Sequence, residues 1–264
     1  MQEQIIQLLN QTLSSDTIKT AENELSSLSE SPEFIPSLIS ILHISDIPDV
    51  TRMAALLYAQ IVVRDFWNTI SQETKEIIKS SLLELILEWP VSRKKSLQHY
   101  ARLLIEATIS NGDIEWPELP DIITDFLSRG EENSCMVGLV LANTLCGAIK
   151  QIDSEAINEW CVSFGNNLIQ ILLELFSQCD NYQFLSLGFH CISRILNSNA
   201  GFDFDSLAEI LVPIVDKSFL IDNFDDNEDY YALSYQSLKF SVQYLTRYVT
   251  ILPPDILGKY FETA

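Results

Sequence analysis

Glycine and proline are scarce, with 8 and 9 residues in a chain of 264. That shortage argues against many short strands joined by tight turns. Positive charge is scarcer still: 16 Lys and Arg face 37 Asp and Glu, a formal net charge of -21. Phosphate backbones need clustered cations, so direct nucleic-acid binding is not expected, and anionic membrane surfaces are disfavoured for the same reason. The longest uncharged stretch, 133–149, is too short to span a bilayer and is broken by Asn143 and Thr144. No membrane insertion is expected. The acidic opening Met1-Gln2-Glu3-Gln4 does not read as a cleavable signal. The five cysteines, Cys135, Cys146, Cys161, Cys179 and Cys191, show no CxxC spacing and read as small buried hydrophobes of a reducing compartment.

Catalytic patterns are also missing. His43, His99 and His190 lie far apart, each inside a helical pattern, and there is no P-loop, GxGxxG, GxSxG or HExxH. The expectation is a protein that is not an enzyme and takes no cofactor or metal.

What is present is aliphatic helix. Hydrophobic residues make up 47% of the chain, too many for disorder despite the charge. Apolar residues recur at helical spacing nearly throughout. Ile5, Leu8 and Leu9 open the series, and Ser15-Asp16 reads as the cap of a helix carrying Ala21, Leu25 and Leu28. Ser31-Pro32 restarts the chain with proline at a first helical position, and Ala54, Leu57, Tyr58, Ile61 and Val62 form the next stripe. Further helices are expected over Ser71–Glu88, Ser92–Ser110, Pro117–Arg129, Glu132–Gln151, Glu155–Cys179, Tyr182–Leu196, Asp205–Leu220 and Asp229–Ile251. Asp255–Phe261 resembles the start of one more. Two faces are clear, one through Val137, Val140, Leu141, Thr144, Leu145 and Ala148, the other through Tyr231, Tyr235, Leu238, Val242, Leu245 and Val249.

Taken in twos, the helices recur at about 40 residues, the period of HEAT and armadillo repeats. The expected fold is all-α: a right-handed superhelical solenoid of HEAT-type antiparallel helix pairs, about six pairs plus a partial one.

Several segments carry a more specific likeness. Ala21-Glu22-Asn23-Glu24-Leu25 is followed by a Phe-containing helix from Phe34 to Leu42. Arg52-Met53-Ala54-Ala55 then leads to Phe66-Trp67, a Lys-rich helix runs from Lys75 to Leu87, and Trp116-Pro117-Glu118-Leu119 comes later. In this order they resemble the N-terminal domain of the importin-β family of nuclear transport receptors, the β-karyopherins. Asn133-Ser134-Cys135 to Leu145 and the aromatic helix Tyr235–Tyr248 look most like the importin seven/eight branch.

The resemblance implies an importin-β N-terminal-like domain over 1–119 facing the GTPase Ran, with further pairs over 120–264 in a continuous solenoid. It implies a nuclear transport receptor, or its N-terminal module, that binds Ran–GTP and the Phe-Gly repeats of nucleoporins. Such a protein takes part in protein transport, in the import direction for this branch, and works in cytoplasm and nucleus and at the pores of the nuclear envelope. The Ran-facing residues implied are Gln60, Arg64, Arg93, Lys94 and Arg102. Gln60 stands where many members carry Lys, so that contact loses its charge. The acidic run Asp222, Asp225, Asp226, Glu228 and Asp229 reads either as a solvated linker or as a patch for basic cargo proteins. The alternative function is a HEAT scaffold for a protein complex, without dependence on Ran. Arg52 reads as an internal bridge to carboxylates or helix ends, and Trp67 and Trp116 as packing between repeats.

Overall fold

The computed structural model describes residues 1–88, 95–110, 116–149, 155–178, 181–197 and 228–248. The helices expected over 205–220 and 255–261 lie outside these. Among the described residues every regular element is helical, and the chain divides into two compact units, Met1–Trp116 and Pro117–Ala264.

The first unit holds α1 (Gln2–Gln11), α2 (Ile18–Leu28), α3 (Phe34–Leu42), α4 (Asp49–Phe66), α5 (Gln72–Glu88) and α6 (Lys95–Ser110). Consecutive helices pair as α1 with α2, α3 with α4 and α5 with α6. Alternate helices also stack, α1 on α3, α3 on α5 and α4 on α6, the two-layer pattern of HEAT-type repeats. No pair could bury its apolar side alone. Ile5, Leu8 and Leu9 of α1, Ala21 and Leu25 of α2, and Phe34, Leu38, Ile41 and Leu42 of α3 are all buried.

Three local expectations change. Ser15 and Asp16 do not cap α2. The cap position is Thr17, whose hydroxyl donates instead to the Gln11 carbonyl at 2.7 Å and so closes the end of α1. Pro32 sits in the turn before α3, where the Phe34 N–H donates to the Ser31 carbonyl at 3.0 Å, and the helix begins at Phe34. The third change concerns α4, whose buried residues are Thr51, Arg52, Ala55, Leu56, Ala59, Val62 and Val63. Leu57 and Ile61, expected inside, are 44% and 37% exposed. α4 is apolar around most of its circumference, so periodicity gives the helix but not its rotational phase.

The second unit holds α7 (Leu119–Ser128), α8 (Glu132–Ile149), α9 (Glu155–Gln178), α10 (Tyr182–Leu196) and α11 (Glu228–Tyr248). Pairing and stacking repeat, with α7 on α8 and α9, and α10 on α8, α9 and α11. The expected α8 face, Val137, Val140, Leu141, Thr144, Leu145 and Ala148, is buried throughout. Phe176, Phe189, Phe240 and Tyr244 form a continuous aromatic run through α9, α10 and α11, with successive ring centroids 4.7, 5.5 and 6.0 Å apart. Gly188 permits this approach, since a Cβ there would lie 2.9 Å from the Phe176 ring. The expected face of α11 is a correction. Tyr230, Leu233, Phe240 and Tyr244 are buried, while Tyr231, Tyr235, Leu238 and Val242 are exposed.

Candidate functional site

α4 is fixed in place by two buried polar contacts near its start. Arg52, only 5% exposed, donates through Nη2 to the carbonyls of Ile44 and Ser45, just beyond the end of α3, and the Ser45 contact is 2.8 Å long. Asp49 lies 3.7 Å from Nη1. A planar guanidinium suits this role because it serves several acceptors at once. Thr51 donates its hydroxyl to the Asn10 side-chain carbonyl at 2.7 Å and ties α4 to α1.

With that phase set, the outward side of α4 presents Leu57, Gln60, Ile61 and Arg64, at i, i+3, i+4 and i+7. Gln60 is half-buried, and Arg64 is exposed with its Nε donating to Asp65 at 2.9 Å. The Asp65 hydrogen bond, reinforced by its charge, pushes the Arg64 pKa up. Arg102 lies on α6, which packs against α4, and its Nη2 donates to His99 Nδ1 at 3.0 Å. The imidazole therefore accepts at Nδ1. Arg93 and Lys94 lie outside the described residues. The two exposed aliphatics beside Gln60 and Arg64 were missed in the sequence, because their spacing also fits a buried stripe.

At the far end of α4, Trp67 is 1% exposed in a short 3-10 turn, Trp67–Thr69. The Lys75 ammonium lies 4.8 Å from its ring centroid, and the Lys79 ammonium lies 6.0 Å from that of Trp116. Both lysines are largely buried, their stems covered and their charges set over indole faces. Lys79 also pairs with Glu76 at 3.0 Å. Arg52 and both tryptophans thus have the internal roles expected of them.

Of the acidic run, Asp222, Asp225 and Asp226 lie outside the described residues. Glu228 begins α11, and Asp229 accepts a hydrogen bond from Gln183 Nε2 at 2.8 Å, linking α11 to α10. Among the described residues no group of three or more His, Cys, Asp or Glu is placed to hold a metal, and no helix is long and apolar enough to cross a membrane.

Comparison with known proteins gives a family match over part of the chain and one fold. Residues 21–88 match the model of the importin-beta N-terminal domain, a span from within α2 to the end of α5. No curated protein matches the chain. The exportin Cse1, in its cargo-free, cytoplasmic state, superposes with a TM-score of 0.73 at 17% identity over 99% of this chain. Importin beta superposes with a TM-score of 0.54 at 17% identity over 94% of it. The chain spans 31% of the Cse1 chain and 34% of the importin beta chain. Residues 21–88 are thus similar to the importin-beta N-terminal domain, within a helical fold that the chain shares with both of these proteins.

Proposed function

We propose that this chain is a nuclear transport receptor, or the N-terminal module of one, that binds Ran in its GTP form and serves protein transport between cytoplasm and nucleus. The observation that carries the reading is the importin-beta N-terminal domain at 21–88, together with the Cse1 fold over 99% of the chain. The proposed GTPase-facing surface is the outward side of α4, Leu57, Gln60, Ile61 and Arg64, with Arg93, Lys94 and Arg102 from the following pair. Two exposed aliphatics beside an exposed guanidinium suit a protein interface, where apolar contacts supply area and a cation steers and orients. The region to residue 119 acts as the Ran-facing module and the later pairs continue the solenoid. Nucleoporin Phe-Gly repeats and basic cargo are the further partners, the acidic run 222–229 attracting the latter. Import is the direction that the likeness to the importin seven/eight branch favours. The protein then works in both compartments and at the pore.

Calorimetry with Ran loaded with a non-hydrolysable GTP analogue, and with Ran–GDP alongside, tests the reading. Binding to the GTP form alone is expected. Arg64→Glu and Arg93→Glu should each weaken it, by about tenfold for a desolvated contact and less at a solvated rim. Equal or absent binding to both nucleotide states favours the second reading, a HEAT scaffold independent of Ran. That reading draws its support from Gln60, which leaves the centre of the α4 surface without the family's lysine.

A further inference from the structure

Of the nine prolines in the chain, only Pro32 follows a serine or threonine. Ser31-Pro32 lies in the turn between the end of α2 at Leu28 and the start of α3 at Phe34, and the GTPase reading makes no use of it. Glu30, Pro32 and Glu33 are exposed there, and Ser31 is half-buried.

The hydroxyls of this segment are held differently. Ser27 Oγ donates to the Asn23 carbonyl at 3.1 Å, and Ser29 Oγ donates to the Ser26 carbonyl at 2.7 Å. Ser31 Oγ instead accepts, from the Glu33 N–H in a long contact of 3.4 Å. The main chain places it: the Ser31 N–H donates to the Leu28 carbonyl, and the Ser31 carbonyl accepts from the Phe34 N–H, each at 3.0 Å. Pro32 adds two constraints. Its ring biases Ser31 away from the helical region, toward extended backbone. It also brings no N–H of its own that an enzyme cleft would have to satisfy.

We infer that Ser31 is a phosphorylation site for a proline-directed serine/threonine kinase acting with MgATP, and that the phosphate then binds the Glu33 N–H at the start of α3. In the transfer, Ser31 Oγ attacks the γ-phosphorus of ATP. The Oγ–P bond forms, the P–O bond to the ADP leaving group breaks, and the hydroxyl proton passes to a carboxylate of the kinase. The product carries about two negative charges. Glu30 and Glu33 repel it, but both are exposed, and at physiological salt such repulsion is screened over about 8 Å. The gain is closer at hand. α3 starts without a side-chain cap or an acidic residue in its first turn, and the Glu33 N–H already points at Ser31 Oγ. A phosphate oxygen takes that N–H in a charge-assisted hydrogen bond, which outweighs the screened repulsions. The site holds whether or not the chain binds Ran.

The test treats the full, folded chain with a proline-directed kinase of the mitogen-activated class and MgATP, and reads the product by mass spectrometry. One added group of about 80 Da is expected, on Ser31. Ser31→Ala should lose it. Pro32→Ala keeps the hydroxyl and changes only an exposed turn residue, so it should fold, as circular dichroism checks, yet accept phosphate about tenfold more slowly. In the phosphorylated chain the Glu33 amide should exchange with deuterium more slowly than before. No phosphate on Ser31 of the folded chain overturns the proposal, as does phosphate that appears there only after heat unfolding. Pro32→Ala modified as fast as the original chain removes the proline-directed assignment, and an unchanged Glu33 amide removes the contact with α3.

Discussion

Arg52 sets the phase of α4 through the carbonyls of Ile44 and Ser45, so its contribution is both energetic and geometric. Arg52→Ala leaves those acceptors without their charged donor and should cost about 2–3 kcal/mol in chemical denaturation. Arg52→Lys should recover only part, because an ammonium lacks the planar fork that reaches two carbonyls. Cys191 gives the pH counterpart. It is fully buried, and burial, with Cys146 nearby, pushes its thiol well above the ordinary 9.0, Arg194 opposing. The unfolded thiol ionises near that ordinary value while the folded one keeps its proton. This component of stability is therefore complete below the unfolded pKa and declines as pH rises above it. Melting temperatures taken from about pH 8 to 10 should fall, and Cys191→Ala should flatten that fall while lowering the whole curve through its cavity. An unchanged slope in the variant would assign the alkaline loss to other groups.

At the scale of the element, α4 and α11 teach the same lesson. The spacing of Tyr231, Tyr235, Leu238 and Val242 is as regular as that of Tyr230, Leu233, Phe240 and Tyr244, and only the second set is buried. A helix apolar on two sides announces itself in sequence without saying which side its neighbour takes. α8 escapes the ambiguity because nearly its whole surface is enclosed. The contrast can be measured: Tyr235→Ser and Leu238→Ser should change stability by no more than about 0.5 kcal/mol, whereas Phe240→Ala should cost about 3–5 kcal/mol by opening the aromatic run. Caps were less legible than helices. Ser15 and Asp16 have the right chemistry for a cap, yet the Thr17 hydroxyl turns to the Gln11 carbonyl.

At the scale of the molecule, the all-helical class, the pairing of helices and the importin-beta N-terminal likeness were readable because each rests on local spacing. The residues that carry the likeness, Ala21, Leu25, Arg52, Trp67 and Trp116, are all buried. They hold the scaffold, which is why sequence can report them. Gln60 and Arg64 came from their place in that pattern, but Leu57 and Ile61 beside them needed the phase of α4.

The ring contacts of Lys75 and Lys79 bear on how the protein meets chemistry in solution. An amine acylates only when its nitrogen is deprotonated and reachable, and these two ammonium groups are covered by tryptophan and neighbouring side chains. Mild acetylation, read by mass spectrometry, should mark exposed amines such as Lys19 long before Lys75 or Lys79. In a chain with 16 cationic side chains, these two then become internal clocks whose labelling rate follows the opening of α5 away from its tryptophans.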